Sequence, residues 1–254
     1  MVQVMPGCEA WSAEGGEVGA LVLHGFTGNP SSTRPLAEAL ADRGFAVEMP
    51  RLPGHGTRWQ ELGKTTWHDW AREAVAAHEA LRARTTARVV VGQSMGGALA
   101  LYLAATRGPH LSGVVLINPY VREGDPRLKA LPLLKWVLPG VPGVGNDIAK
   151  PDADEKPYAR VPLRALASVV AFQRRVRDHL GAVTAPTLVF TSRQDHVVDT
   201  GNSRLVLDGI SAVDVEQVWL ERSYHVATLD VEAQEIVDRT VAFINRVTAT
   251  TPGS

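Results

Sequence analysis

Short apolar runs alternate along the chain with longer segments whose apolar residues recur at helical spacing. Each run is rich in valine and leucine and is bounded by glycine, proline or polar residues. Runs that are apolar at nearly every position are typical of strands buried on both faces of a parallel sheet. The predicted strands are residues 19–23, 46–49, 88–91, 113–117, 187–191 and 213–220.

The longer segments between these runs predict helices. In the first of them, Leu36, Ala39 and Leu40 share one helical face, and Gly44 follows as a suitable C-terminal cap. The predicted helices are residues 35–43, 67–84, 96–106 and 231–247. Regular alternation of strand and helix predicts right-handed crossovers and helices on both faces of the sheet, which is the α/β class.

One long connection interrupts the alternation. Residues 119–181 separate two predicted strands and contain a helical pattern of their own, together with a stretch rich in proline and glycine. So long a connection indicates an inserted unit rather than a loop. We therefore expect a core formed by residues 1–118 and 182–254 and a cap, or lid, formed by residues 119–181.

Composition and charge exclude several classes of function. The chain has 254 residues, of which 45% are hydrophobic and 21% charged, so it can build a sizeable core. Its net charge of −1 gives little attraction for the phosphates of nucleic acid, and we expect no nucleic-acid partner. The single cysteine, Cys8, excludes an internal disulfide and disfavours a metal site.

The start of the chain carries no targeting pattern. Residues 1–16 lack the basic region and apolar run of a signal peptide. No stretch approaches the length that spans a bilayer, so we expect a cytoplasmic protein without an integral membrane segment. The sequence carries no signal for a particular oligomeric state.

The strongest chemical signal is the string Gly92-Gln93-Ser94-Met95-Gly96. It follows a predicted strand and precedes a predicted helix, which is the context of the nucleophile elbow. In that tight turn the serine hydroxyl stands clear of the sheet, and glycines flank it because a side chain there would collide with neighbouring backbone. The alternative is a glycine-rich turn that only packs a helix on a strand.

A serine hydroxyl needs a base within hydrogen-bond reach. Elbow serines are followed along the chain by an acid and then by a histidine, each after a late strand. Asp195 and His225 occupy those positions and complete a candidate triad with Ser94. Asp199, in the same loop as Asp195, is the alternative acid, and His196 is the alternative base.

The remaining histidines predict no catalysis. His24 and His55 lie in glycine-containing turns, where we expect them to shape the backbone. The others fall in helical or turn segments away from the ends of predicted strands, and we expect them at the surface: His68, His78, His110 and His179.

A glycine-containing turn after the first predicted strand suggests an oxyanion hole. The string His24-Gly25-Phe26-Thr27-Gly28 allows backbone N–H groups to approach a tetrahedral intermediate closely. We expect one donor to be the N–H of Phe26 and the other the N–H of Met95, just after the candidate nucleophile. Each such donor stabilises a transition state by about 3 kcal/mol. This chemistry requires no metal and no other cofactor.

Taken together, these motifs resemble those of the α/β-hydrolase superfamily, and within it the small bacterial carboxylesterases and monoacylglycerol lipases. The resemblance covers nearly the whole chain. It is carried by LHGFTG at 23–28, LPGHGT at 52–57, GQSMGG at 92–97, INP at 117–119, SRQDHVV at 192–198 and SYHVATLD at 223–230. It implies a mostly parallel sheet with a small inserted cap, Ser94 as nucleophile, Asp195 as acid, His225 as base, and oxyanion N–H groups at Phe26 and Met95.

The resemblance also implies a reaction and a substrate. It implies hydrolysis of a small-molecule carboxylic ester through an acyl-enzyme, on short- to medium-chain esters or monoacylglycerols. In similar monoacylglycerol lipases an acidic cap residue contacts the glycerol head, and Glu155 is its counterpart here. Larger relatives begin with two extra strands, so a reduced sheet is expected.

Several alternatives remain open from the sequence. Another serine-dependent member of the fold, such as a thioesterase or a carbon–carbon bond hydrolase, would carry the same triad. A non-catalytic binding protein of the same fold belongs to a different class. The apolar residues of the cap indicate either a greasy acyl pocket or the cap's own core: Leu131, Leu133, Leu134, Trp136, Val137 and Leu138.

Overall fold

The computed structural model describes residues 2–125, 128 and 130–249. Within this part of the chain, the strands are β1 (Trp11–Ala13), β2 (Val18–Leu23), β3 (Ala46–Met49), β4 (Ala87–Gln93), β5 (Gly113–Ile117), β6 (Gly140–Pro142), β7 (Arg160–Pro162), β8 (Thr187–Ser192) and β9 (Val215–Leu220). The central sheet has the order β1-β3-β2-β4-β5-β8-β9. Strand β1 runs antiparallel to β3, and every other neighbouring pair is parallel.

Helices cover both faces of this sheet, which confirms the predicted α/β class. They are α1 (Arg34–Asp42), α2 (Trp59–Leu62), α3 (Trp67–Arg82), α4 (Met95–Arg107), α5 (Leu131–Val137), α6 (Leu163–Arg177), α7 (Gly201–Gly209) and α8 (Ala233–Thr248). The alternation of side chains along β2 shows the two layers. Leu21 packs in a core with Trp70 of α3, whereas Val22 packs in a second core with Leu36 of α1.

The register of the sheet determines which loops lie close together at its carboxyl edge. Val91 of β4 lies opposite Val22 of β2 and Val115 of β5, and Val115 lies opposite Leu188 of β8. Because these strands are parallel, their carboxyl ends meet at one edge of the sheet, where ligands of α/β proteins bind. The loops that follow β2, β4, β8 and β9 all begin at that edge.

Every predicted strand is present, and the structure adds β1 at the edge of the central sheet, besides β6 and β7 in the inserted segment. β1 lies at the edge of the sheet, and its three residues alternate only between half-buried and exposed. So short and weak a pattern gives no periodic signal.

One predicted surface residue is buried. His78 lies on α3 with no exposed surface, so the expectation that it lies at the surface was wrong. It stands four residues after Ala74 and three before Leu81, both of which face the core. Helical spacing therefore places its ring on the inner face of the helix.

The long connection between β5 and β8 contains α5, β6, β7 and α6. β6 and β7 form a small antiparallel pair in which Val141 lies opposite Val161. These elements agree with an inserted cap, although the division at residues 119–181 stays a prediction. None of the helices described is long and apolar enough to cross a membrane.

Candidate active site

Ser94 stands at the turn between β4 and α4 in a left-handed conformation, with φ of 55°. A Cβ atom on Gly92 would lie 2.1 Å from the Gly96 carbonyl oxygen, and one on Gly96 would lie 2.1 Å from the Leu23 carbonyl oxygen. Both distances are far inside van der Waals contact. The two glycines are thus required by the close approach of strand, turn and helix, as the elbow interpretation expects.

The structure brings together the three residues of the candidate triad. The Nε2 atom of His225 lies 2.9 Å from the Ser94 Oγ atom, and its Nδ1 atom lies 2.7 Å from Asp195 Oδ2. A carboxylate only accepts hydrogen bonds, so Nδ1 carries the proton and Nε2 is left to accept from the serine hydroxyl. This is the arrangement in which histidine removes the serine proton.

Backbone groups hold the Asp195 side chain in place. Its Oδ1 atom accepts from the N–H groups of Val197 and Val198 at 2.8 and 2.7 Å. The side chains of Asp195 and His225 are 2% and 9% exposed. A buried carboxylate fixed in this way has its second oxygen aimed at the imidazole without freedom to rotate.

Among the described residues, no hydrogen bond joins Asp199 to His225 or His196 to Ser94. The Asp199 side chain is 78% exposed, and its Oδ1 atom accepts from the N–H of Gly201 at 2.9 Å. The His196 ring is 60% exposed and binds Asp147 Oδ1 at 2.8 Å through Nδ1. The geometry favours Asp195 and His225 over these two.

Opposing influences determine the pKa of the His225 imidazole. Burial acts to lower its pKa, because it penalises the charged ring. The hydrogen bond and negative charge of Asp195, with the charges of Glu155 and Asp147, act in the other direction and prevail. The pKa of His225 therefore lies above its ordinary value, which suits a group that carries a positive charge during a reaction.

Two backbone N–H groups are expected to stabilise an oxyanion. Neither the N–H of Phe26 nor that of Met95 has an acceptor among the described residues. A Cβ atom on Gly25 would lie 3.2 Å from Ser94 Cβ, so this loop runs close to the serine. Their role as an oxyanion hole stays a prediction.

The buried His24 side chain makes hydrogen-bond contacts that hold the same loop. Its Nε2 atom accepts from the Leu52 N–H at 3.2 Å, and Nδ1 lies 3.0 Å from the Gly25 carbonyl oxygen. One neutral tautomer satisfies both contacts. Burial lowers the pKa of His24 to about 4, so the ring stays uncharged near neutral pH.

A cavity of about 390 Å³ opens above Ser94 and His225. Its polar lining contains Glu123, Asp125, Asp147, Glu155 and His196. Its larger apolar lining residues are Phe26, Tyr120, Leu128, Val141, Val144, Val161, Leu166, Val197 and Val226. Apolar walls with a few convergent polar groups are typical of a site for a small organic ligand.

The apolar stretch of the cap does not line this cavity, so it does not form the expected acyl pocket, and only one of its residues fits the alternative of a core within the cap. Leu131 alone among the six named residues is buried. The other five, Leu133, Leu134, Trp136, Val137 and Leu138, are between 40% and 77% exposed. Apart from Leu131, the apolar residues of α5 face solvent. The cavity takes its cap residues from the segment after β5, from β6, β7 and the segment between them, and from α6.

Glu155, a residue of the cap, is buried in the cavity wall. Its Oε1 atom accepts from the Asn146 N–H at 3.0 Å, and its own N–H donates to Asn146 Oδ1 at 2.9 Å. The Asn29 side chain donates to the Glu155 carbonyl oxygen at 3.0 Å, which ties it to the loop after β2. Burial raises the pKa of the Glu155 carboxyl.

Asn118, at the end of β5, is a residue whose role the sequence did not indicate. Its Oδ1 atom accepts from the Ser192 N–H at 2.7 Å, and its Nδ2 group donates to the His225 carbonyl oxygen at 2.9 Å. It thus joins the ends of β8 and β9, which precede the acid and the base. Asn118 belongs to the INP motif, but a single asparagine after a strand does not show which distant residues it contacts.

His, Cys, Asp and Glu side chains are the groups that could bind a metal ion, and the chain has a single thiol. Within residues 2–125, 128 and 130–249, no group of three or more His, Cys, Asp or Glu side chains is placed to hold a metal ion. Cys8 is buried and unpaired by disulfide.

Comparison with known proteins agrees with this geometry. A family model described as serine aminopeptidase, S33, matches residues 19–232. A thermostable monoacylglycerol lipase of Bacillus sp. (strain H-257) is 40% identical over 241 residues, which are 94% of this chain and 95% of the relative. A carboxylesterase of Bacillus subtilis (strain 168) is 26% identical over 92% of this chain and 95% of the relative.

A solved structure from work on the metagenome-derived lipolytic enzymes LipS and LipT superposes with a TM-score of 0.94 at 39% identity. The match covers 96% of this chain and 100% of the chain in that structure. The shared architecture is the α/β-hydrolase fold, and its agreement extends through the inserted segment. The chain therefore belongs to the serine aminopeptidase S33 family of α/β-hydrolases, and it is similar to a monoacylglycerol lipase and to a carboxylesterase.

Proposed function

We propose that this chain is a serine carboxylic ester hydrolase that acts on monoacylglycerols or short- to medium-chain esters. The observation that carries the proposal is the relay from Ser94 Oγ through His225 to Asp195, with contacts of 2.9 and 2.7 Å, at the floor of a cavity. The names of the two Bacillus relatives favour an ester over a peptide as the substrate.

Acylation starts with the Ser94 hydroxyl. His225 Nε2 takes its proton while Oγ attacks the ester carbonyl carbon, and a tetrahedral intermediate forms. The N–H groups of Phe26 and Met95, which have no acceptor among the described residues, support the negative oxygen. His225 then gives its proton to the leaving alcohol, and an acyl group remains on Ser94. Throughout, Asp195 holds the ring in the tautomer that leaves Nε2 free and stabilises the positive ring.

Deacylation repeats these steps with water in place of serine. His225 takes a proton from water, the hydroxide attacks the acyl carbon, and the second tetrahedral intermediate collapses. The proton returns to Ser94 Oγ as the carboxylic acid leaves. All of these proton transfers pass through Nε2 of one imidazole, so its protonation state controls both halves of the reaction.

The cavity supports an ester with an apolar acyl chain and a small polar head. Side chains such as Leu166, Val141 and Phe26 offer apolar contact to the acyl chain. Glu155 lies in the same wall with one oxygen, Oε1, engaged by Asn146. We propose that its other oxygen accepts hydrogen bonds from the hydroxyl groups of glycerol.

The decisive experiment measures hydrolysis and labelling together. The wild-type protein should hydrolyse p-nitrophenyl butyrate, and a fluorophosphonate should label Ser94. Ser94→Ala should lose on the order of 10⁴ to 10⁶ in kcat and all labelling, because the attacking group is gone. A wild-type protein that neither turns over the ester nor reacts with the fluorophosphonate contradicts the proposal and favours a binding protein of the same fold.

An acyl series separates the proposed substrates from the thioesterase alternative. Monoacylglycerols and p-nitrophenyl esters of increasing chain length should be compared with acyl thioesters at matched chain length. A kcat/KM for thioesters about tenfold or more above that for the oxygen esters would assign the site to a thioesterase. The same series gives the preferred acyl length.

A further inference from the structure

A carboxylate of the cap reaches both loops that carry the relay. The acid loop is residues 193–200, between β8 and α7, and the base loop is residues 221–232, between β9 and α8. Asp147 Oδ2 accepts from the backbone N–H of His196 in the acid loop and from that of His225 in the base loop, both at 3.1 Å. One oxygen atom therefore bridges the two backbones.

The other atoms of Asp147 strengthen the same connection. Its Oδ1 atom lies 2.8 Å from His196 Nδ1, and its carbonyl oxygen accepts from the Val226 N–H at 3.1 Å. The Asp147 side chain is only 13% exposed, while that of His196 is 60% exposed. The carboxylate is thus held from two sides by groups on different loops.

A second carboxylate makes the reciprocal contact from the base loop. Asp230 accepts from the N–H groups of Ala149 and Lys150 in the cap, both at 2.8 Å. Its Oδ2 atom also accepts from the Tyr224 N–H in its own loop at 2.8 Å. The cap segment 147–150 and the base loop are therefore joined by side chains that each side contributes.

We propose that Asp147 is a positioning residue that assembles the relay only while the cap is seated on the two loops. The inference rests on the proposed function. Proton transfer from Ser94 depends on the 2.7 Å contact between His225 and Asp195, whose backbones belong to these loops. A cap that moves away removes the oxygen that both backbones share, and the relay loses its alignment. A misplacement of about 1 Å at a reacting group can cost about 10²-fold in rate.

The charge of Asp147 offers a readout that a purely structural contact would not move. The groups that act on the His225 ring are Ser94, Asp195, Glu155 and Asp147. The Asp147 charge contributes to the raised pKa of His225. Its removal should therefore lower that pKa and move the acid limb of kcat/KM to lower pH.

The test compares Asp147→Asn with the wild type. Asparagine keeps the shape but loses the charge and one accepting oxygen, so one contact to the two loops must reverse its direction or be lost. We expect labelling of Ser94 by a fluorophosphonate to slow about tenfold to a hundredfold. For p-nitrophenyl butyrate, kcat should fall by a similar factor with KM changed less than about threefold, and the acid limb should move to lower pH.

Asp152→Asn is the matched control, because Asp152 lies exposed in the same inserted segment and in a left-handed conformation that asparagine tolerates. It should keep the wild-type rate and pH profile. An Asp147→Asn protein that melts earlier but labels within about twofold of wild type, with an unmoved acid limb, overturns the inference.

His196→Ala decides the matter if Asp147→Asn does not fold. This substitution removes the ring that holds Asp147 Oδ1. The carboxylate can then rotate, its Oδ2 atom is less firmly held between the two backbone N–H groups, and labelling should slow about threefold or more. An unchanged rate overturns the inference. If the wild type itself is neither labelled nor active, the proposed function fails first, and the two failures are thereby distinguished.

Discussion

The Nε2 atom of His225 lies 2.9 Å from the Oγ atom of Ser94, although 131 positions separate the two residues in the chain. They meet because β4 and β9 end at the same edge of the parallel sheet. The distance is that of a direct hydrogen bond, so the hydroxyl proton can pass to the ring without an intervening water. Each member of the relay can therefore be tested by substitution.

Asp195→Asn should lower kcat about 10⁴-fold with little change in KM. The amide group of asparagine presents a donor to His225 Nδ1, so the ring adopts the tautomer that places its proton on Nε2, and it can no longer accept from Ser94. Steady-state hydrolysis of p-nitrophenyl butyrate measures the loss. Asp199→Asn is the control, since that side chain is 78% exposed in the same loop. Equal losses in the two variants would contradict the assignment of the acid.

The activity of the wild type should decline at acid pH. His225 acts as a base only when neutral, and its pKa lies above the ordinary value of 6.5. As the pH falls through that raised pKa the ring takes up a proton, so kcat/KM should lose activity about tenfold per pH unit below it. A pH profile of kcat/KM measures this limb. If the midpoint of this acid limb lay below the ordinary histidine pKa, the carboxylates around His225 would not raise its pKa as the structure indicates.

Much of this site could be predicted because its signals are local. The elbow combines a buried strand, flanking glycines and an apolar helix within a few residues, so Ser94 could be placed from sequence alone. The fixed chain order of the fold then selected Asp195 and His225 among several candidates. The structure places both within hydrogen-bond reach of their expected partners.

The cap was harder to predict, because an apolar helical pattern there is compatible with either an acyl pocket or a core within the cap. The apolar residues of α5 have helical spacing, but spacing alone does not show which surface an apolar face packs against. Here all of them except Leu131 are exposed to solvent. Asp147 gave no signal, since it lies in irregular backbone and its partners are about fifty and eighty positions away. Contacts of that kind are set by tertiary packing rather than by local sequence.

Glu155→Gln should separate recognition of the glycerol head from ester cleavage. Glutamine keeps an oxygen for the Asn146 N–H but loses the charge, and a hydrogen bond to a charged group contributes about 1.5–3 kcal/mol. For a monoacylglycerol, kcat/KM should therefore fall about tenfold or more. For p-nitrophenyl butyrate, which has no glycerol, the change should stay within about threefold. Equal losses on both substrates would show that Glu155 acts in catalysis or folding instead.

Gly96→Ala should destabilise the fold strongly. The added Cβ atom would stand 2.1 Å from the Leu23 carbonyl oxygen, so β2 and α4 would have to separate. Overpacking of this kind costs about 1–3 kcal/mol or more, and backbone atoms cannot rotate away. Urea unfolding measures the loss. Gly108→Ala, just past the other end of α4, is the control, since no atom lies within 4 Å of its added Cβ. Equal stability of the two variants would contradict this account of the elbow.

Stability should fall with acid because His24 is buried neutral. Its folded pKa is about 4, below the ordinary 6.5, so between these values the unfolded chain binds a proton that the folded chain refuses. The free energy of unfolding should therefore drop by about 2 kcal/mol between about pH 7 and about pH 5 from this group. His24→Gln, which can still accept from the Leu52 N–H, should flatten that dependence in urea titrations. His68→Gln, on the exposed face of α3, should not, and an equally flat curve for both would refute the linkage to burial.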